Sequence, residues 1–415
     1  MKIIITTGQG IINLFDSAIA LKRNRHEVKL ITGWIPGKLY SDKFINLLGC
    51  ILGRRNLAYG LNKRKTKELS RNEISSCSLS EFFIQFLFLV SKFKLISRDR
   101  AAFLGWKFYG YQSKRYLSDA DIFHVRSGAG QGGAIKKAKK KGLKVVVDHS
   151  IAHPAEILKQ LNKANDEKNW NGFISRDSKF WELVIKDCKM ADLVVVNSDY
   201  VKESFVQNGF SPKIIHVVHM GITNIFHNLK SKWEIKDSPK ILFIGTFGLR
   251  KGAKLIIEAA NILIKQNIDF ELNIVGDISN DIEIPDWFKN NKNIKLHGSV
   301  PLIDLKNFLS FNDIFIFPSY AEGCAQSLKI AMASGIPVIA TKQSGGPINH
   351  LENGYLIPDH SSEALSEAIL QLIQNKELRK KIGSNGAETI KTEHTWEKYG
   401  KELTVLYKNL LSVQN

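Results

Sequence analysis

Two stretches of this 415-residue chain place charged side chains where an anionic ligand would need them. In KILFIGTFGLRKGAKLIIEAA, residues 240–260, an apolar run ends at Gly245, a loop with Gly248 follows, and Arg250, Lys251 and Gly252 lead into a helical pattern. Such a loop carries backbone N–H groups and cations to the carboxyl edge of a parallel sheet, where anions bind. In IFIFPSYAEGCAQSLKIAMASGIPVIAT, residues 314–341, a buried strand ends at Pro318, a turn carries Glu322 and Gly323, and a helix runs on to Met332. Free amides around Cys324, Ala325 and Gln326 at that helix start would face a diphosphate, while Glu322 would accept hydrogen bonds from sugar hydroxyls. Capping of the following helix is the competing role for Glu322.

The first half offers a looser set. VDHSIAHP, residues 147–154, puts His149 and His153 just past a strand, and His124 and Arg126 close the strand before it. Thr7-Gly8-Gln9-Gly10 follows the first strand, as a ligand loop or as a plain turn. The basic run GAIKKAKKKG, residues 133–142, spaces Ile135 and Ala138 as a sheet-covering helix does, with its lysines in solvent. No aromatic residue interleaves with those lysines, which disfavours a nucleic-acid stacking platform.

These residues need elements to hold them. Short β-branched runs alternate with longer amphipathic stretches in both halves, the pattern of parallel sheets covered by helices, so the fold class is α/β with two Rossmann-like domains. Strands are predicted at 2–6, 28–32, 122–125, 145–148, 193–197 and 214–218, then at 241–245, 272–276, 294–297, 314–318 and 338–341. The polar stretch between Phe226 and Pro239 divides them. This gives a first domain over 1–225, a second over 226–390, and a closing helix over 391–415. Residues 40–118, rich in Arg, Lys and Phe, fit the alternation poorly and read as an elaboration of the first domain without clear strands. Within it, LSEFFIQFLFLVSKFKLIS, residues 79–97, is apolar but interrupted by Glu81, Gln85, Lys92 and Lys94, short of the roughly 20 residues a membrane span needs. It is either a helix buried in the first domain or one lying in the plane of a membrane surface.

On these motifs the second half resembles the large family of retaining glycosyltransferases that includes glycogen and sucrose synthases and bacterial polysaccharide enzymes, whose architecture is GT-B. The likeness runs in order through Gly245 to Gly252, Asn273 to Asp277, His297 to Pro301, Pro318 to Gly335, Ile336 to Thr341 and Asn353 to Pro358. In the first half it is fainter, at Ala20 to Thr32, Val145 to His149, Ala191 to Ser198 and Val218 to Gly221. The last helix, Trp396 to Leu411, resembles the one that crosses back to the first domain. The resemblance implies that Arg250 and Lys251 neutralise the donor diphosphate as the sugar–phosphate bond breaks. It implies a donor site built from Gly8, Gly10, Gly245, Thr246, Gly248, Gly276, Val300, Gly323, Cys324, Ala325, Gln326, Ser327 and Ile330. It also implies that His149 or His153 contacts the transferred sugar. Two positions depart from the family. Thr246 stands where many relatives carry an arginine, and Ile330 stands where the second glutamate of the Glu, seven residues, Glu motif falls. An isoleucine accepts no hydrogen bond from a ribose.

The function expected from the resemblance is transfer of a sugar from a nucleotide diphosphate donor to a hydroxyl with retention of configuration, in surface polysaccharide or glycolipid synthesis. The acceptor is a saccharide or a lipid-linked one, and no metal or other cofactor is expected. A GT-B binding protein with weakened catalysis and a nucleic-acid-modifying glycosyltransferase are the rival readings. Composition bounds the rest. Lys and Arg outnumber Asp and Glu by 19 overall, and residues 1–225 hold 37 of the cations against 19 acids, a net of +18. A single-sign excess on one half favours an anionic partner such as a phospholipid surface. Cys50, Cys77, Cys188 and Cys324 stand too far apart for zinc or a disulfide framework. The opening MKIIITT reads as a buried strand rather than an export signal, so the expected location is cytoplasmic, with peripheral attachment to the inner face of a membrane.

Overall fold

The computed structural model describes residues 1–8, 14–35, 42–51, 68–165, 177–235 and 237–412. Two wholly parallel sheets organise them. The first holds β1 (Lys2–Thr6), β2 (Glu27–Thr32), β3 (Ile74–Ser76), β4 (Ile122–Arg126), β5 (Lys144–His149), β6 (Leu193–Val196) and β7 (Ile215–Val217), in the order β3-β2-β1-β4-β5-β6-β7. The second holds β8 (Lys240–Ile244), β9 (Glu271–Val275), β10 (Ile294–Gly298), β11 (Ile314–Phe317), β12 (Val338–Thr341) and β13 (Tyr355–Ile357), in the order β10-β9-β8-β11-β12-β13. Both are doubly wound, so each has a switch point, between β1 and β4 and between β8 and β11, where crossovers diverge and ligands bind.

The strands form where they do because their residues are buried on both faces. Ile3 to Thr6, Val145 to His149, Ile314 to Phe317 and Val338 to Thr341 are all shielded from solvent, as unbroken β-branched and aromatic runs in a helix-covered parallel sheet should be. Two strands escape the sequence pattern. β3 lies inside the 40–118 elaboration and β13 near the far end of the second sheet; each has only three residues and sits at a sheet edge. Ile-Ser-Ser is too short to show a period of two.

Helices α1 (Leu14–Arg23), α2 (Asp42–Ile51), α3 (Ser78–Lys92), α4 (Arg98–Ser113), α5 (Ala134–Lys140), α6 (Pro154–Ala164), α7 (Lys179–Met190) and α8 (Asp199–Gln207) belong with the first sheet. The second carries α9 (Ala253–Lys265), α10 (Asp286–Lys289), α11 (Leu305–Phe311), α12 (Gln326–Ser334), α13 (Ser362–Gln374) and α14 (Lys376–Glu393). The last helix, α15 (Trp396–Ser412), returns to pack on α1 of the first. Gly400 permits that approach, since a Cβ there would lie 3.0 Å from the Ala20 carbonyl oxygen. Three polar contacts fix its register: Ser17 Oγ donates to Tyr399 Oη at 2.9 Å, and His26 and His124 meet Thr404 and Tyr407 at 2.9 and 2.5 Å. Among the described residues no helix is long and apolar enough to cross a membrane.

Candidate active site

At the carboxyl edge of the second sheet the two sequence motifs meet. Gly245, at φ 147°, ends β8, and Gly276, at φ 140°, ends β9 beside it. A Cβ on Gly276 would lie 2.0 Å from the Gly245 carbonyl oxygen, so only glycine fits this close approach. The chain then passes Thr246 and Gly248, turns once through Leu249–Lys251, and enters α9 at Gly252. The Arg250 carbonyl oxygen accepts from the Tyr320 N–H and the Ser319 hydroxyl, both at 2.9 Å. These bonds bolt the β8 loop to the β11 loop and bring Arg250, Lys251 and Glu322 together.

Glu322 Oε1 lies 2.6 Å from Arg250 Nη1 and 3.7 Å from Lys251 Nζ. The same Nη1 donates one of its two N–H bonds to the Ala321 carbonyl oxygen at 2.8 Å, and neither is aligned on the carboxylate. Oε1 is therefore buried beside two cations without an aligned donor. The pairing is coulombic, and the carboxylate keeps lone pairs for another partner. Burial draws the Lys251 ammonium below the usual lysine range, while Glu322 opposes that shift by favouring the charged form. The ammonium also sits 5.2 Å from the centre of the Phe317 ring.

The helix after Glu322 starts one turn on. Ala325 is the N-cap of α12, with no side-chain cap bond, and its own N–H is taken by the Ser344 carbonyl at 3.1 Å. Glu322 therefore does not cap α12. Cys324 and Ala325 are buried, and Gln326 and Ser327 are half-buried in the first turn. Burial raises the Cys324 thiol above its usual range, leaving it a neutral wall. Ile330 and Val300 are half-buried and pack on the apolar core of the second half.

The Glu322 loop is also held from the first half. The Ala152 N–H donates to the Glu322 carbonyl oxygen at 3.2 Å, and Ser198 Oγ donates to that of Gly323 at 2.5 Å. A Cβ on Gly323 would fall 1.9 Å from the Ser150 carbonyl oxygen, and one on Gly345 would fall 1.8 Å from that of Gly323. The Glu322–Gly323 turn is thus wedged between the ends of β5, β6 and β12. Asn197 Oδ1, beside this wedge, is buried with no partner among the described residues.

The first-half candidates separate. Gly8, at φ 72°, faces the Trp106 ring, while Gly10 lies outside the described residues. His149 ends β5, is buried, and meets Ser127 Oγ through Nδ1 at 2.8 Å. Its Nε2 has no partner among the described residues, and burial, followed by the Arg126 charge, holds it neutral well below the usual histidine range. His153 goes elsewhere: its Nδ1 accepts the Ala155 N–H as the N-cap of α6, and its ring packs on Phe205 and Phe210. It lines a cavity of about 810 Å³ with Leu158, Trp181 and Phe210 that includes none of the second-half loop residues. His124 and Arg126 point instead to the α15 side, where Arg126 pairs with Asp148 at 2.9 Å. Among the described residues no three His, Cys, Asp or Glu side chains group as metal ligands do.

Sequence reasoning missed Ser150, Asn197, Ser198 and Lys329. The Lys329 ammonium is fully buried in α12 and donates to the Met220 carbonyl oxygen at 2.7 Å, tying that helix to the segment between the sheets. The only local signal was Asn197-Ser198-Asp199, a helix-capping triplet; Ser198 does cap α8 through Val201 N at 3.3 Å.

Two family models match the chain side by side: Glycosyltransferase Family 4 over residues 80–223 and Glycosyl transferases group 1 over residues 226–389. An uncharacterised glycosyltransferase of Methanocaldococcus jannaschii is 30% identical over 236 residues, 54% of this chain and 60% of its own. The amylovoran biosynthesis glycosyltransferase AmsK of Erwinia amylovora is 28% identical over 293 residues, 65% of this chain and 68% of its own. The chain thus spans about three fifths to two thirds of the length of these relatives. Among solved structures, Anabaena HepE in complex with UDP superposes with a TM-score of 0.62 at 15% identity, covering 99% of this chain and 100% of that one. At that identity the likeness shows the fold, GT-B, with two facing Rossmann-like units.

Proposed function

The chain belongs to the group 1 glycosyltransferases, and from that premise we propose that it moves a sugar from a nucleotide diphosphate donor to a hydroxyl with retention of configuration, in surface polysaccharide or glycolipid synthesis. The observation that carries this reading is the Arg250–Glu322–Lys251 cluster at the switch point of the second sheet. Lys251 supplies positive charge where the diphosphate leaves, and the first turn of α12 supplies backbone N–H groups. Glu322 accepts from hydroxyls of the transferred sugar. Arg250 acts chiefly as the positioning residue for Glu322, because one guanidinium nitrogen already bonds the Ala321 carbonyl. In the transfer the acceptor oxygen bonds to the anomeric carbon on the face the diphosphate vacates, the sugar–phosphate bond breaks, and the hydroxyl proton passes to the departing phosphate. The relatives support a saccharide setting: AmsK is named for amylovoran biosynthesis and HepE was solved with UDP. The acceptor is a saccharide or a lipid-linked saccharide at the inner face of a membrane, and the donor is a substrate, with no cofactor needed.

The test is release of nucleoside diphosphate from a panel of nucleotide sugars, with the anomeric configuration of the product read by NMR. Glu322→Gln should lower turnover strongly while leaving the affinity for bare nucleoside diphosphate unchanged, since that ligand lacks the sugar. Equal weakening of nucleotide and nucleotide sugar removes Glu322 from the sugar. A second reading, a binding protein with weakened catalysis, is favoured by Ile330, which packs on core where the family has a ribose-binding glutamate. Calorimetric binding of nucleotide sugar without turnover on any acceptor would select it.

A further inference from the structure

We infer that α3 and the turn after it form a docking face for an anionic lipid bilayer, with α3 lying in the plane of the membrane surface; this stands independently of the transfer reading. α3 turns a polar-containing face inward and an aromatic one outward. Ser80, Glu81, Ile84 and Leu87 are buried, whereas Leu79, Phe82, Phe83 and Phe86 are exposed at 64%, 42%, 37% and 56%. Their spacing of three, four and seven puts all four on one stripe. Seven residues past Phe86 the stripe reaches Phe93, and Leu95 stands beside it; at 69% and 74% these are among the most exposed large apolar side chains described. Lys94, at φ 60°, makes the turn that presents both at the tip of the α3–α4 hairpin. On α4, Phe108 packs edge-on to Phe83 at 5.0 Å, and the exposed Tyr111 stacks on Phe108 at 6.3 Å. The apolar surface therefore spans both helices.

A contiguous aromatic face on a protein surface marks a binding site rather than a stray side chain. Charge identifies the occupant. Lys92 and Lys94 flank Phe93 in the chain, Lys107 lines a pocket with Phe83, Phe108 and Tyr111, and Arg98 and Arg100 follow in the first turn of α4; all five are exposed. The two acids in this stretch are engaged: Glu81 is buried and accepts the Trp34 N–H at 2.5 Å, and the half-buried Asp99 accepts from Ser178 Oγ and, at 2.9 Å, from Lys179 N. The charge left facing outward is positive, on the half of the chain that carries a net +18. Two copies of such a face would repel each other, whereas anionic headgroups would neutralise the cations while the phenylalanine rings enter the acyl boundary. Since no described helix can span a bilayer, attachment by this face is in-plane and reversible.

The experiment is flotation of the full chain with phosphatidylcholine vesicles, with and without phosphatidylglycerol. The wild type should float only with the anionic lipid, and raised salt should release it. Phe82→Ser with Phe86→Ser should reduce the bound fraction about tenfold, and Lys92→Glu with Lys94→Glu should do the same. Should the serine pair fail to fold, Phe86→Trp keeps the bulk and reports insertion as the blue shift and brominated-lipid quenching gained over the wild type, whose seven tryptophans set the baseline. No binding to anionic vesicles, binding indifferent to lipid charge, a Phe86→Trp variant whose emission on bound vesicles gains no blue shift over the wild type, or a concentration-dependent dimer abolished by the serine pair would each overturn the inference.

Discussion

The two halves share a strand order and diverge in what they do with charge. At the switch point of the second sheet, Arg250 and Lys251 face one carboxylate, and that half carries a net of only +1. The first half keeps His124 and His149 buried and neutral and carries a sequence excess of +18. Two cations around one carboxylate in a closed loop suit a ligand whose negative charge must be held in one place, because short-range pairing in a shielded site survives salt. A diffuse excess suits an extended partner. The same fold thus supports a point contact on one side and a surface contact on the other.

The comparison breaks first if the second-half cluster is dispensable. Replacing Arg250 and Lys251 together by alanine should reduce turnover by at least a hundredfold, about 3 kcal/mol in the barrier, and should also lower the melting temperature, since the buried Glu322 carboxylate is left without either cation. Turnover within tenfold of wild type would remove the cluster from the chemistry.

Acid should act on the buried histidines. Burial pushes His124 down to about 4, with Asp148 opposing the shift. An unfolded histidine titrates near 6.5, so between these values the unfolded chain takes up a proton that the folded chain refuses. Stability from this residue is complete above about 6.5 and is lost as pH falls towards 4, by roughly 3 kcal/mol in all. The midpoint of thermal unfolding should fall over that window, and His124→Gln should flatten the fall. A slope unchanged by that substitution would place the acid sensitivity elsewhere.

The smallest effects sharpen how the halves are joined. Ser198 Oγ bonds the Gly323 carbonyl in a buried setting, whereas Lys342 and Glu203 pair at 2.7 Å with side chains 62% and 44% exposed. Ser198→Ala should cost about 1–2 kcal/mol, the worth of a buried acceptor left unpaired. Lys342→Ala should cost well under 1 kcal/mol. Denaturant titration of both variants ranks them, and the reverse order would move the join to the surface pairs.

Much of the frame was legible because it is local. β1 and β12 fall on the residues read from apolar runs, and most other strands differ by a residue or two at their ends. Gly276 and Gly323 were read from the sequence only as parts of a donor site, and the carbonyl oxygens that approach them, of Gly245 and Ser150, were not written beside them. β3 and β13 were illegible because three residues carry no period. The histidines could not be sorted by sequence, since His149 and His153 differ by four positions and yet one ends a strand while the other caps a helix.

By itself, then, the sequence determined the two parallel α/β sheets and the loops at their carboxyl edges, because burial periodicity and glycine conformation act over a few residues. Tertiary structure alone decided that Arg250 turns towards Glu322 and the Ala321 carbonyl, that Ser150 and Ser198 wedge the Glu322 loop from the other half, and that α3 shows its phenylalanines to the outside. Each of these depends on partners tens to hundreds of positions away, brought close only by the packing of whole elements. An apolar run states that a side chain avoids water; which surface it finds instead is settled by what the rest of the chain leaves uncovered.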